Sequence, residues 1–419
     1  MQIRRDSVAF VVLLGALAAL PPLSIDMGLP ALPAVGAALR TRPDLAGLTL
    51  SLFMAGFACG PVLYGPLSDR HGRKPVLLAG LALFTVAGLA AALAPSIGTL
   101  LAARLLQGAG AGSGTSMAFA IVRDLFEAHE ARRRLSYVTA VLTAAPLVAP
   151  TLGAAVLAFG GWRAIYGALA LGGAALVAVV FLGLAESVPR GLRTRQGRVQ
   201  GGVLDRVLAG YRAVLGSPVS LGFALVYAFG FGVQFSYVSG SPLVMMGLFG
   251  VSARTYGLLF GCTALGITAG ALTNGQLSAR QVSPVWPLRV GLGLLLGAGL
   301  VLVVLTAAGL ASVITLMPPL VASSYGYGLV GPNASHGALE PVPEVAGTAG
   351  AVLTSAQMGT GALASALVAS LFGVLGLYAM AGMMALCAAV ATLVYAALVR
   401  PTQRASAAAG RARPGRAGE

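Results

Sequence analysis

The stretch YGPLSDRHGRKP, Tyr64–Pro75, puts two prolines, two glycines and five acidic or basic side chains into a chain that is otherwise almost wholly apolar. On either side of it lie hydrophobic runs long enough to cross a bilayer, whose hydrocarbon core is about 30 Å thick and takes roughly 20 helical residues. The stretch therefore reads as a short connection between two membrane helices. Gly65 and Gly72 permit close approach and positive φ, and Pro75 suits the first turn of the helix that follows. Asp69 sits among Arg70, Arg73 and Lys74, so the connection can clasp a neighbouring helix end by charge.

The rest of the chain agrees with that reading. Its 419 residues are 57% hydrophobic and 9% charged, with a mean hydropathy of +0.88, whereas about a quarter of a soluble domain is charged. Twelve apolar runs recur, over residues 8–36, 47–67, 75–94, 98–122, 135–158, 162–185, 216–245, 253–278, 286–307, 310–334, 346–373 and 376–399. Polar alternation with a period of two is absent, which argues against a membrane barrel, and helices are the other backbone solution in lipid. The first run is too long for a signal-peptide core and no convincing cleavage site follows it, so it is expected to remain as a helix. The expected fold is an all-α integral membrane protein with twelve transmembrane helices.

Arginine and lysine fall mostly on one side of these spans. Arg4, Arg5, Arg70, Arg73, Lys74, Arg123, Arg132, Arg133, Arg134, the cluster from Arg190 to Arg212, Arg280, Arg289 and the tail arginines share it, against Arg40, Arg42, Arg163 and Arg254 on the other. Basic loops stay inside, so both termini are expected in the cytoplasm. The net charge of +15 has the same origin. Cations scattered between spans serve topology and contact with membrane lipid, and no nucleic-acid partner is expected. The polar stretch that begins ESVPRGLRTRQGRVQGGVLDR at Glu186 divides six spans from six. The expected organisation is one bundle over residues 1–185, a linker over 186–214, a second bundle over 215–400 and a disordered tail over 401–419. GPLSDR at Gly65–Arg70, after the second span, returns as GQLSAR at Gly275–Arg280, after the eighth. That echo makes the bundles two pseudo-symmetric halves, a design in which secondary transporters hold substrate between halves near the midplane.

GPLSDRHGRKP looks like the loop signature of the major facilitator superfamily, with Gly65, Asp69, Arg70, Gly72, Arg73 and Lys74 at matching positions. The resemblance implies a conformational latch centred on Asp69 and Arg73, which contacts the adjacent helix end in the outward-open state and lets go as the halves rock. In the second copy Ala279 replaces the aspartate, implying a weaker latch there. RLLQGAGAG at Arg104–Gly112 is similar to the fourth-helix signature of drug:proton antiporters, and APLVAPTLGA at Ala145–Ala154 resembles their fifth-helix motif, carried here by Pro146, Pro150 and Gly153. For the two prolines a simple kink and a specific part in antiport both stand. PLSIDMGLPALP at Pro22–Pro33, FSYVSGSPLV at Phe235–Val244, PNA at Pro332–Ala334 and AGTAGA at Ala346–Ala351 look like segments of the bicyclomycin-resistance (Bcr/CflA) branch. That branch implies a monomeric antiporter of a bacterial inner membrane, exporting small amphipathic molecules such as phenicol- or bicyclomycin-like antibiotics in exchange for protons. One departure matters: many relatives carry Tyr after the Asp-Met pair of the first helix, where this chain has Gly28, so an aromatic wall of the cavity is missing.

Physical chemistry points to the same residues independently. Asp26 is the one carboxylate placed well inside a span, and a charge at membrane depth costs at least a few kcal/mol, so it is functional by default. Desolvation favours its neutral form and a nearby cation its charged form, so small changes in hydration can load or release a proton. Pro21, Pro22, Gly28, Pro30 and Pro33 weaken the helix around it. Arg104 is the matching cation, sharing a helix face with Gln107, Gly108 and Ala111. Two readings of Arg104 stay open, an ion pair with Asp26 and a structural bond to backbone carbonyls. Candidate cavity residues are Met27, Gln107, Tyr227, Gln234, Tyr237 and Tyr325. Cys59, Cys262 and Cys387 lack metal or redox spacing, and His71, His129 and His336 are isolated, so neither metal nor cofactor is expected. A phosphate-binding Gly-x-x-x-x-Gly-Lys-Ser/Thr loop is absent, so the expected energy source is a gradient and the chain is expected not to be an enzyme. An exporter of an endogenous metabolite or self-made antibiotic is the first alternative, and a non-transporting receptor or scaffold the second.

Overall fold

A computed structural model describes residues 3–187 and 203–401; the expected tail from Thr402 and the central part of the expected linker lie outside the described residues. The described chain is helical, and no strand occurs in it. Helix α1 (Val8–Asp26) is capped by Ser7, whose hydroxyl accepts the Phe10 N–H. It stops at Asp26, passes through a 3₁₀ turn at Leu29–Ala31 and resumes as α2 (Leu32–Ala38). The first span is thus two helices with a break, and Gly28 and Pro30 fall in that break while Pro21 and Pro22 are tolerated inside α1. Then follow α3 (Pro43–His71), α4 (Arg73–Ala92), α5 (Ile97–Leu125) and α6 (Ala128–Gly183).

Helix α6 has 56 residues, which would run about 84 Å if straight. It does not run straight. Gly161, with φ 71° and ψ −175°, leaves helical geometry. Arg134 Nη1 donates to the Arg5 carbonyl and the Ile3 N–H donates to the Gly183 carbonyl, so both ends of α6 meet the same N-terminal residues. The chain therefore doubles back at Gly161, a conformation that glycine adopts without the Cβ penalty.

The second half comprises α7 (Val203–Gly216), α8 (Pro218–Pro242, widening into π turns over Leu243–Leu248), α9 (Ala253–Ala279), α10 (Val285–Ala307), α11 (Val313–Leu339), α12 (Ala346–Leu375) and α13 (Leu377–Val394, continuing to Val399). Ten segments are long and apolar enough to cross a membrane. That number counts α6 once and omits α5, which is less apolar because it carries Arg104, Gln107 and a run of Gly and Ser. Both arms of α6 and α5 together bring the crossings to twelve.

One expectation is corrected. Tyr64–His71 is not loop: α3 runs on to His71, and the turn is Gly72 alone, at φ 98°. Pro66 is accommodated inside the helix. Within the segment expected as linker, over 186–214, the chain is helical from Val203, and α7 lays Val214 and Gly210 against the bundle, with Gly210 beside Thr348 of α12.

The two halves repeat one packing scheme. In the first, α5 packs on α3 and α4; in the second, α11 packs on α9 and α10. Backbones touch at both: Gly108 of α5 lies on the Phe53 carbonyl of α3, and Gly328 of α11 on the Ile267 carbonyl of α9. Small residues allow such contact where apolar side chains gain nothing by leaving lipid. The halves meet along α3 with α12 and α6 with α9.

Candidate functional site

The interface between halves is sealed at one end and open at the other. Towards the starts of α3 and α9, Ser51 Oγ bonds Ser365 Oγ at 2.8 Å. On the same line Ser355 donates to the Ala58 carbonyl, and Gly257 of α9 lies against Thr151 of α6. Beyond Ala58 the helices diverge around a cavity of about 620 Å³. Its depths hold Phe57, Met117, Tyr227 and Leu353, and its mouth Asp69, Arg73, Arg123 and Thr348.

At that mouth stands the signature, and one expectation is corrected: its contacts are engaged while this end is open, because they are made inside the first half and do not depend on the second. Arg73 donates from Nη1 to Asp69 Oδ1 and Ser68 Oγ, both at 2.6 Å, and from Nε to Asp124 Oδ2 at 2.8 Å. The Glu186 carboxylate accepts the backbone N–H groups of Arg73 and Lys74 at 3.0 and 3.2 Å. It thereby satisfies the first donors of α4 with an anion at the positive end of the helix. Lys74 Nζ reaches the Phe181 carbonyl at 2.8 Å. Gly65 lines the cavity, Gly72 makes the turn and Arg70 points outward, exposed. Asp124 and Glu186 carry no motif that marks them in the sequence. Each lies in a segment distant along the chain, and the only signal is an acid at a helix end facing a basic signature.

Deeper, past the cavity floor, lies the buried carboxylate. Asp26 is 5% exposed, at the end of α1 and beside the break. Its carboxylate has neither ion pair nor hydrogen bond among the described residues. Arg104 does not pair with it. The guanidinium donates to the Ser24 carbonyl at 2.9 Å, to the Thr49 carbonyl at 3.4 Å and to Gln107 Oε1 at 2.6 Å. It stacks over Phe53 at 4.3 Å and faces Tyr166 at 5.4 Å. Of the two readings of Arg104, this structure holds the carbonyl-bonded one. Gly153 of the fifth-helix motif packs on the Met27 carbonyl, so a side chain there would push the α1 break away from α6. Pro146 and Pro150 flank Leu147, which approaches Gly261 of α9; the motif thus lies on the sealed interface.

The cavity candidates scatter. Tyr227 lines the cavity, Gln107 holds Arg104, and Met27 and Gln234 are buried. Tyr237 is buried and bonded to Thr263 Oγ1 at 2.9 Å. Tyr325 is half-buried; its neighbour Tyr327 is the phenol that meets Gln357, at 3.0 Å. At Gly28, the Tyr166 hydroxyl lies 3.9 Å from where a Cβ would stand, so an aromatic from α6 faces this position. No group of three or more metal-ligating side chains occurs among the described residues.

Two six-span halves around a one-ended cavity, with a lone carboxylate buried between them, define a secondary transporter rather than an enzyme. The Major Facilitator Superfamily profile matches residues 14–365, and the chain belongs to that family. Its relatives place it in the bicyclomycin-resistance branch. A chloramphenicol resistance protein of Pseudomonas aeruginosa is 35% identical over 354 residues, 83% of this chain and 81% of that one. A bicyclomycin resistance protein homologue of Haemophilus influenzae is 28% identical over 376 residues, 88% and 91% of the two chains. An uncharacterised transporter of Bacillus subtilis is 36% identical over 274 residues, 65% and 67%. Among solved structures, a bacterial homologue of the human lysosomal transporter Spinster, inward-facing and occupied, has the same fold. Its TM-score is 0.74 at 16% identity, covering 96% of this chain and 98% of that one. The protein is a multi-pass inner-membrane protein.

Proposed function

We propose that this chain is a monomeric proton-coupled antiporter that exports small amphipathic, drug-like molecules by alternating access. The observation that carries this reading is Asp26, an unpaired carboxylate buried between two halves that are open at one end only. Relatives bearing the names chloramphenicol resistance protein and bicyclomycin resistance protein homologue support phenicol- or bicyclomycin-like cargo. The arginine asymmetry supports cytoplasmic termini, which makes the open end the cytoplasmic one. Reporter fusions at the tail and near Gln200 should both read cytoplasm, and a periplasmic tail would overturn the topology.

In this reading cargo enters the cavity from the latch end and meets Phe57, Met117 and Tyr227. Asp26 gives up its proton on one side and takes one on the other, while Arg104, always charged, holds α1 to α3 by its carbonyl bonds. One carboxylate carries one proton per cycle. One charge crossing 100 mV supplies about 2.3 kcal/mol and one pH unit about 1.4. The sum of roughly 3.7 kcal/mol limits the gradient of a neutral substrate to a few hundredfold. For a monovalent cation the charges cancel, leaving about tenfold per pH unit. Transport in proteoliposomes, with potential and pH gradient set separately, tests this. Export of chloramphenicol, which is neutral, should respond to both. Strong concentration of a dication against an opposing potential would rule out a one-proton cycle. Gly28 favours a second reading, export of an endogenous metabolite, because it reshapes the wall beside Asp26; a drug-susceptibility panel in an efflux-deficient host separates the two.

A further inference from the structure

The cavity between the halves carries charge on one side only. Among the described residues its second-half lining, with Tyr227 at depth and Thr348 at the mouth, holds no charged side chain. The first half supplies three, Asp69 of α3, Arg73 of α4 and Arg123 of α5. Asp69 is the one acid in that lining, and it is taken, because Arg73 Nη1 donates to it at 2.6 Å. Arg123 is exposed and enters none of the ion pairs formed among the described residues. Two cations against one anion leave the lining with a single positive charge in excess.

The neighbouring acids do not offer a free site either. Asp124 accepts from Arg73 Nε at 2.8 Å, and Glu186 accepts the first backbone N–H groups of α4. Glu340 and Glu344, on the connection from α11 to α12, are exposed and stand outside the lining. Asp26 lies past the cavity floor, also outside the lining. A cation entering the cavity would shed hydration with no free carboxylate to meet it, and could reach Asp69 only by taking it from Arg73. An anion meets Arg123 directly. Phe119 lines the cavity one helical turn before Arg123, and side chains four residues apart share a helix face, about 6 Å apart along the axis. That face of α5 offers an aromatic ring and, nearer the mouth, a cation.

We infer that the cavity accepts neutral and monoanionic amphiphiles and refuses cations, with Phe119 against the aromatic body of the cargo and Arg123 receiving its anionic end. The inference rests on the export reading of the cavity and narrows its cargo by charge. A carboxylate suits the position because the planar guanidinium fork matches it in two parallel hydrogen bonds. A neutral molecule enters by the same route and forgoes that contact.

The test is equilibrium binding to the purified full-length protein of three probes that differ in charge. They are chloramphenicol, which is neutral, its succinate monoester, which adds a carboxylate to the same aromatic body, and the cation tetraphenylphosphonium. At low ionic strength the monoester should bind about fivefold more tightly than chloramphenicol, the size of an exposed charge pair. That advantage should vanish in about 1 M salt, where charges are screened over roughly 3 Å. Tetraphenylphosphonium should displace neither. Arg123→Gln should bring the ratio of the two affinities to about one, while Arg123→Lys, which keeps the charge, should preserve an advantage. Taking the ratio within each variant cancels any general loss of folded protein. Displacement of chloramphenicol by tetraphenylphosphonium at comparable concentration, no advantage of the monoester in the wild type, or an unchanged advantage in Arg123→Gln would overturn the inference and leave the export reading standing. Failure of chloramphenicol and its monoester alike to bind would overturn the drug-cargo reading, and the inference with it.

Discussion

The two halves share a helix scheme and a six-residue echo, yet they are held together by different forces. Every ion pair formed among the described residues lies in the first half: Arg42 with Asp44, Arg73 with Asp69 and Asp124, Arg133 and Arg134 with Glu130, and Arg134 with Asp6. Apart from Arg289, whose Nε donates to the Tyr395 hydroxyl, the second half pairs neutral side chains, Tyr237 with Thr263, Ser241 with Tyr256, Asn333 with Asn274 and Gln357 with Tyr327. At the echo itself the contrast is sharp. Gly65–Arg70 leads through one glycine into α4 and a network on Arg73 and Lys74 with five accepting residues, Ser68, Asp69, Asp124, Phe181 and Glu186, whereas Gly275–Arg280 ends in a loop through Gln281 at φ 57°. Duplicated backbone has been kept and duplicated charge has not. Ion pairs among the described residues are thus confined to the first half, while the second is tied together chiefly by neutral donors, acceptors and aromatics.

Four substitutions would break or sharpen that division. The largest effect is expected from Asp26→Asn, since an amide cannot cycle a proton: the attainable drug ratio should fall from a few hundredfold to about one, as read by accumulation in energised vesicles, with expression unchanged. Next is Asp69→Asn, which removes one of the two carboxylates on Arg73. Transport should slow about tenfold while equilibrium binding survives, because a partly buried pair is worth roughly 1–2 kcal/mol; wild-type rates and crosslinking across α3 and α12 would contradict the latch. A change on the neutral half, Gln357→Ala, should raise KM about fivefold with the proton-to-drug ratio intact, as expected for loss of one hydrogen bond of about 1 kcal/mol. A changed ratio would break the division of labour. The smallest effect, within about twofold, is expected from Ala279→Asp, which restores the signature acid at the last residue of α9, with Ser283 and not an arginine at the position matching Arg73; a large gain or loss of rate would mean that the second copy is a latch after all.

Much of this was legible beforehand because bilayer thickness constrains span length and because proline and glycine punctuate locally. The break after Asp26 follows from Gly28 and Pro30, and the tight turn from Gly72. The fold-back at Gly161 and the low hydropathy of α5 are also local properties. What escaped is whatever depends on a second segment. Arg104 binds main-chain carbonyls of Ser24 and Thr49, and a carbonyl has no letter of its own. Glu186 stands in the sequence at the start of the expected linker, though its carboxylate caps α4 across 113 residues of chain. Tyr325 and Tyr327 are equivalent by composition, and helix rotation alone decides which phenol meets Gln357.

The backbone contact between α3 and α5 at Gly108 and Phe53 makes the pair a riveted beam. Arg73 fastens the two helices at the latch end through Asp69 and Asp124, and Arg104 fastens them towards the sealed end through Thr49. Each helix has 29 residues, about 43 Å of rigid length, so a tilt of about 10° around the middle swings either tip by about 4 Å. Leverage of that kind links what happens beside Ser24 and Asp26 to the separation at Asp69 with no relay of polar groups between them. The stiffness of the beam sets how much of a stroke at one tip arrives at the other.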